Sequence, residues 1–138
     1  MLSRYPRDGV ERIVIKERKG FIKYALRHGY RVHPVYSFGE VDTYAVFPYL
    51  SELRLFLCAY KVPAVLFWGA WLFPMIPRSG CELHTFVGPA IAMPKVPDGE
   101  LTAALVDKWH AVYLKALVDV FDRNKAAAGK GHMALEVM

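Results

Sequence analysis

The stretch Val10–Gly39, VERIVIKERKGFIKYALRHGYRVHPVYSFG, decides the fold of this 138-residue sequence. β-Branched residues crowd its first part, at 12–16, and indicate a strand. From Phe21 the apolar residues follow helical spacing, and Gly29 is well placed to end that helix in a left-handed turn. Residues 31–38 again have the composition of a strand. Strand, helix and strand within about 30 residues is the size of a right-handed βαβ unit with parallel strands, so we predict an α/β fold.

The rest of the chain extends this pattern. Pro34 cannot donate to a β-ladder, so the second strand is expected to lie at an edge or to carry a bulge there. Further strands are predicted at 84–87 and 90–94, and a helix at 100–125. Residues 132–138 have the character of a frayed tail. The prediction is one domain over 1–138, with a partial sheet, flanking helices and a long carboxy-terminal amphipathic helix.

The composition is unusually apolar, at 54% hydrophobic and 14% aromatic residues. Either the chain has a dense small core, or apolar surface is left over for a membrane, a partner or a ligand. Residues 62–77 carry no charge but are too short, and too often interrupted by proline, for a spanning helix. A buried loop and an interfacial hairpin both fit them, and Trp68 and Trp71 suit the second. A shorter amphipathic helix is predicted at 52–60, and the first eleven residues do not resemble a signal peptide.

The net charge of +5 suits anionic partners such as phospholipid head groups or acyl-CoA phosphates. The basic residues cluster between 12 and 31, where a solvated helix face explains them equally well. No zinc-finger or basic-zipper pattern accompanies the charge, so a nucleic-acid partner is not predicted.

Histidines and cysteines do not form a recognisable catalytic or metal-binding motif. Cys58 and Cys81 lie 23 residues apart in apolar surroundings, and we interpret them as free thiols in a reducing compartment. His33 and His110 are interpreted as structural. No histidine is followed five residues later by aspartate, the dyad that acyl transfer to a hydroxyl uses. We therefore predict no catalytic residue and no metal site in these 138 residues.

Five blocks of sequence carry a family resemblance. The longest is RKGFIKYALRHG at 18–29, and PVYSFGE follows at 34–40. An aromatic–glycine to Ile-Pro-Arg stretch occupies 67–78, VGPAI with Pro-Lys occupies 87–95, and WHAVY opens the block 109–129. Together these blocks resemble the type-2 diacylglycerol acyltransferase family, which also includes monoacylglycerol and wax-ester acyltransferases.

The resemblance implies an acyltransferase-type sheet and an O-acyltransferase activity of neutral glycerolipid synthesis, with diacylglycerol converted to triacylglycerol. It implies acyl-CoA as co-substrate with no other cofactor, diacylglycerol or a related acceptor, and the endoplasmic reticulum membrane or lipid droplet as location. The family's catalytic His-Pro-His-Gly does not occur in this sequence. The chain is therefore expected to be the carboxy-terminal portion of such an enzyme, inactive alone.

The resemblance also implies substrate-binding residues. The Arg-Lys-Gly block places a basic pair at a helix start, suited to a CoA phosphate, while a tight turn with solvated cations is the alternative. Pro34 and Val35 match a Pro-Val that borders the acceptor site, and Glu40 closes the Phe-Gly-Glu block, either pairing with a base or capping a loop. The predicted substrate-binding residues are Arg18, Lys19, Gly20, Pro34, Val35 and Glu40.

Two rival functions fit the sequence. One is a non-catalytic module that binds lipid at a membrane surface, favoured by the missing histidine motif and the tryptophan-containing apolar run. The other is an acyltransferase of the same family that uses monoacylglycerol or a long-chain alcohol as acceptor.

Overall fold

The computed structural model of the chain describes residues 9–46, 67–69, 73 and 75–138. These residues contain short strands, two α-helices and two single 3₁₀ turns, which is consistent with an α/β protein. The strands are β1 Val10–Ile13, β2 Arg31–Val32, β3 Val35–Phe38, β4 Ala45–Val46, β5 Phe67–Trp68, β6 His84–Val87, β7 Ile91–Ala92 and β8 Ala134–Val137. The helices are α1 Gly20–His28 and α2 Ala103–Asn124, and the 3₁₀ turns are Glu40–Asp42 and Asp98–Glu100.

The described residues fall into two compact units. The first combines residues up to Phe38 with His84–Met138, and the second lies within Gly39–Leu83. The first unit holds α1, α2 and six of the described strands, and the second holds β4 paired antiparallel with β5.

The strands of the first unit pair differently from the prediction. β1 is parallel to β8, whereas β2 and β3 are antiparallel to β7 and β6. The predicted parallel crossover between β1 and the strand after α1 is therefore wrong. Its physical reason is that β2 and β3 find antiparallel partners in the later segment 84–92, which local sequence pattern does not reveal.

Pro34 interrupts the predicted strand at 31–38. β2 ends at Val32 and β3 begins at Val35, and the two strands pair with different partners. Proline has no N–H to continue the ladder, but its carbonyl accepts a hydrogen bond of 2.7 Å from the Gly88 N–H. The expected irregularity at Pro34 is therefore present. At this point the segment around Pro34 is hydrogen-bonded to the segment around Gly88.

α1 forms where helical spacing was predicted. Ile22, Ala25 and Leu26 are buried on one side. Gly29 follows the last turn with φ of 69°, the left-handed conformation that glycine adopts without a steric penalty. The Tyr30 N–H then donates to the Ala25 carbonyl at 3.0 Å, which satisfies the end of the helix.

α2 begins after Thr102, whose hydroxyl accepts a hydrogen bond from the Leu105 N–H. One buried cluster joins β3 to the second half of α2, and it contains Tyr36, Phe38, Leu117, Val120, Phe121 and Met133. The other joins α1 to the first half of α2, and it contains Ile22, Ala25, Leu26, Met93 and Val106. α2 thus spans both clusters and holds β3 and α1 in one unit.

The predicted frayed tail at 132–138 is also wrong, because it contains β8. The Ala134 N–H donates to the Gly9 carbonyl at 2.9 Å, and the Met138 carbonyl accepts from Ile15 and Lys16, both at 2.9 Å. Partner strand β1 lies more than 120 residues earlier in the sequence, so no local signal marks the tail as ordered.

Several sequence predictions lie outside the described residues. They are the helix at 52–60, Cys58, Trp71 and most of the apolar run 62–77. Within the described part of the chain, neither helix combines the length and hydropathy needed to cross a bilayer.

Candidate functional site

The basic pair of the Arg-Lys-Gly block lies at the start of α1, where Gly20 is the first helical residue. Among the described residues no side-chain capping hydrogen bond is made to this end of the helix, whose partial positive charge attracts anions. The Lys19 ammonium lies 2.7 Å from an Asp107 carboxylate oxygen on α2. Arg18 is exposed. The pair is therefore divided: Lys19 ties α1 to α2, and Arg18 is the cation directed to solvent.

An aromatic contact follows immediately along α1. The Phe21 ring packs edge-on against Tyr113 and His110 of α2, with centroid distances of 4.9 and 6.1 Å. Burial raises the pKa of the Tyr113 hydroxyl, which therefore stays protonated and able to donate. His110 is only 3% exposed, and its Nε2 has no hydrogen-bond partner among the described residues. Sequence pattern alone did not single out this unpaired nitrogen.

Pro34 is part of a packed crossing rather than an open surface. It is almost fully buried. A Cβ added to Gly88 would lie 2.5 Å from Val120 Cγ2 and 2.8 Å from Pro34 Cγ. Only glycine fits between the two side chains, so the block at 34–40 and the block at 87–95 are locked together here. His33 adds to this contact, because its Nδ1 donates to the Gly88 carbonyl at 3.0 Å.

Val35 is the accessible member of the Pro-Val pair. It is 45% exposed and lies opposite Val87, which is 64% exposed. The next pair on the same side of the β3–β6 ribbon is Ser37 and Thr85, whose hydroxyls are 2.8 Å apart. This face of the ribbon therefore offers an apolar patch at one end and two hydroxyls at the other.

Glu40 lies in the second unit, separate from the other five predicted residues. It is exposed and begins the 3₁₀ turn, where its carbonyl accepts hydrogen bonds from the backbone and hydroxyl of Thr43. Gly39 before it has φ of 89°, and a Cβ there would collide with the Glu82 carbonyl oxygen. The Phe-Gly-Glu block thus encodes a tight turn that requires glycine.

A segment of the block 87–95 lies along the carboxyl end of α1. The Val96 N–H donates to the Leu26 carbonyl at 2.9 Å, and the Met93 N–H donates to the Tyr30 carbonyl at 3.1 Å. The Lys95 Cβ lies 3.0 Å from the position of a Cβ built on Gly29. The motif block at 87–95 therefore contacts both the block at 18–29 and the part of the block 34–40 that lies in the first unit, although it is about 50 residues from them in sequence.

Comparison with known proteins points to one family. The diacylglycerol acyltransferase family model matches residues 4–137. The chain is 35% identical to mouse Diacylglycerol O-acyltransferase 2 over 132 residues, which is 88% of this chain and 33% of the mouse protein. It is 35% identical to Diacylglycerol O-acyltransferase 2 of Dictyostelium discoideum, over 86% of this chain and 38% of that protein. It is 32% identical to human Acyl-CoA wax alcohol acyltransferase 2, over 91% of this chain and 40% of that protein.

The chain thus spans between a third and two fifths of the length of these curated relatives. No solved structure matches it significantly. The family match covers nearly every residue of the chain and includes these motif blocks, 18–29, 34–40 and 87–95. The chain belongs to the diacylglycerol acyltransferase family.

Proposed function

We propose that this chain forms the carboxy-terminal part of an acyl-CoA-dependent O-acyltransferase of neutral glycerolipid synthesis, which converts diacylglycerol to triacylglycerol. In that reaction the acceptor hydroxyl attacks the thioester carbonyl, a histidine base takes the hydroxyl proton, and the CoA thiol leaves. Family membership over residues 4–137 supports the reaction class. By resemblance, the base comes from a His-Pro-His-Gly segment, which these 138 residues do not contain.

The single observation that carries the proposal is that the motif block 87–95 contacts both the block 18–29 at Gly29 and the block 34–40 at Pro34. In this assignment the amide groups at the start of α1, together with Gly20 and Arg18, receive a phosphate of the CoA donor. Lys19 keeps that helix end in position through Asp107. Val35 borders the acceptor through the exposed apolar patch that it forms with Val87. Pro34 is buried beside that patch and supports it. Glu40 lies in the second unit, where it begins the 3₁₀ turn.

We further propose that the protein works at the endoplasmic reticulum membrane or the lipid droplet surface. Its two substrates would meet there, because diacylglycerol resides in the lipid phase and acyl-CoA approaches from water. Exposed apolar side chains in the second unit support a lipid partner: Phe73, Met75 and Ile76 are 62%, 78% and 52% exposed. No cofactor besides the acyl-CoA co-substrate is needed by this chemistry.

A chimera tests the function directly. The matched region of mouse Diacylglycerol O-acyltransferase 2 is replaced by this chain, and labelled acyl-CoA, diacylglycerol and membranes are supplied. We expect the chimera to form labelled triacylglycerol and the 138-residue chain alone to form none. The matched control is the same chimera with alanine in place of the histidines of His-Pro-His-Gly, which should be inactive.

Other outcomes would change the assignment. Turnover by the chain alone would place the base within it, and His33 and His110 would be the first residues to replace. An inactive chimera, with a chain that still binds vesicles, would favour the non-catalytic lipid-binding module. Faster transfer to a long-chain alcohol than to diacylglycerol would assign the wax-ester acceptor, in keeping with the name of the human relative.

A further inference from the structure

Three aromatic rings form an exposed cluster on the outer side of α1, each in contact with the other two. Tyr24 contacts His28 one turn later with a centroid distance of 4.5 Å, and His28 stacks on Tyr30 at 5.3 Å with an interplanar angle of 22°. Tyr24 and Tyr30 are themselves 5.9 Å apart. The two tyrosines are 55% and 50% exposed, although rings of this size usually find cover. Each tyrosine therefore presents aromatic surface to solvent, on which one more planar group can pack.

Cationic residues lie next to this cluster in sequence or pack against the residue beside it. Lys95 packs against Gly29, which is the residue between α1 and Tyr30. Arg31 follows Tyr30 directly in the sequence. Lys23 precedes Tyr24 on the same exposed side of α1. Arg27 is held by Asp98 at 2.5 Å and so contributes little net charge. Lys23, Arg31 and Lys95 carry three full positive charges, which outweigh the partial negative charge at the carboxyl end of α1. The Ala25 and Leu26 carbonyls at that end already accept hydrogen bonds.

We propose that the aromatic cluster of Tyr24, His28 and Tyr30 binds the adenine ring of the CoA donor, with Lys95 and Arg31 facing the 3′-phosphate of its ribose. The inference rests on the proposed function and adds to it the part of the donor that carries no reacting atom. Aromatic side chains bind bases by stacking on their π-faces, and neighbouring cations hold the phosphates that accompany them.

A membrane partner fits this surface less well. Interfacial helices combine aromatic rings with aliphatic side chains that enter the acyl region. The exposed side of α1 carries Tyr24 and His28 beside Lys23 and Arg27, and no exposed aliphatic side chain accompanies them on this helix. Such a surface matches a flat polar ring with phosphates better than it matches hydrocarbon.

Binding of adenosine 3′,5′-bisphosphate and of CoA to the 138-residue chain tests the inference. Titration calorimetry gives the affinity, and the adenine proton resonances should move upfield where a ring stacks on them. We expect Tyr24→Leu with Tyr30→Leu to weaken binding of both probes about tenfold or more, because base stacking is lost. The double Phe variant keeps the rings and should bind as the wild type does. Circular dichroism and thermal unfolding establish that all variants are folded.

A matched pair of lysine variants tests how much charge contributes to binding at this site. Lys95→Gln should weaken binding of the bisphosphate severalfold, whereas Lys108→Gln, an exposed lysine on α2, should not. Unchanged affinity in the Leu variants would overturn the inference. So would a chain that ignores both probes but binds phosphatidylcholine–phosphatidylserine vesicles in a manner that depends on Tyr24 and Tyr30. An active chimera beside a chain that does not bind the probes would remove this inference alone and leave the proposed function standing.

Discussion

Gly88 shows how one residue joins two distant motif blocks. A methyl group there would enter the space held by Val120 and Pro34, at 2.5 and 2.8 Å. Gly88→Ala should therefore lower the free energy of unfolding by about 1–3 kcal/mol, since overpacking forces side chains or backbone to shift. Urea denaturation followed by circular dichroism measures it.

Gly20→Ala is the matched control for Gly88. A Cβ at Gly20 meets nothing within 4 Å, and the residue is helical. The free energy of unfolding should stay the same or rise slightly, because alanine restricts the unfolded chain more than glycine does. Equal losses in both variants would mean that the crossing of Pro34 and Gly88 does not constrain the fold.

His110 is a buried polar residue whose contribution to stability can be tested by substitution. Its Nε2 has no partner among the described residues, and leaving a buried polar atom unpaired costs free energy. His110→Leu should keep the free energy of unfolding or raise it by about 1 kcal/mol, because leucine removes the unpaired atom at similar volume. Thermal or urea unfolding of the chain measures this change.

Phe121→Leu is the control for His110→Leu, because it shortens a fully buried side chain elsewhere on α2 and should destabilise. A clear loss of stability in His110→Leu would contradict the interpretation and reveal a partner for Nε2. Loss of activity in the chimera with unchanged stability would assign His110 to the chemistry instead.

At the scale of elements, the local sequence pattern predicted α1 and β6 but not which strands pair with each other. The helix over Phe21–His28, its glycine end and the strand His84–Val87 were correct, because side-chain spacing and turn residues encode them locally. The parallel crossover and the frayed tail were wrong, because partner choice depends on residues far along the chain. The break at Pro34 follows from proline chemistry alone.

The candidate site follows the same division. The motif blocks were visible in sequence, but Lys19 paired with Asp107, and Pro34 buried against Gly88, required the fold. The contact of Tyr24 with His28 could be predicted from the sequence, because residues four apart share one side of a helix. Tyr30 joins it only through the left-handed turn at Gly29, which is a tertiary detail.

β8 gives the prediction at this scale. Leu135 is partly buried against the cluster of Tyr36, Phe38 and Phe121, whereas Glu136 is exposed and pairs with Arg12 at 2.6 Å. Leu135→Asp should lower the free energy of unfolding by about 2 kcal/mol or more, because a charge is placed against apolar side chains. Urea unfolding of the 138-residue chain measures the loss.

Glu136→Gln, the neighbouring control, should change the free energy of unfolding by less than about 1 kcal/mol, as an exposed ion pair does. A harmless Leu135→Asp would restore the view that residues 132–138 are a frayed tail and that β8 contributes nothing to the first unit.

At the scale of the whole molecule, charge should govern association with anionic surfaces. The chain carries +5, and raising the salt from 0.1 M to 1 M shortens the Debye length from about 10 Å to about 3 Å. We expect sedimentation with phosphatidylserine-containing vesicles at low salt to fall several-fold at 0.5 M salt.

Vesicles of pure phosphatidylcholine are the control, and Tyr24→Leu with Tyr30→Leu should leave this charge-driven association unchanged. Binding that persists at high salt would instead indicate insertion of apolar side chains, with Phe73 and Met75 the first to replace.

The pairing of β1 with β8 sets the order of events during synthesis. Val10 is synthesised before its partner Ala134, which is 124 positions later, so β1 must wait until the intervening chain has been made. Contacts between residues this far apart in sequence form slowly, because the intervening chain must be ordered before the contact stabilises the fold. Until then β1 is an unpaired strand edge, the kind of surface that chaperones cover and that aggregates when left alone. Folding yield should therefore depend on how quickly translation reaches β8.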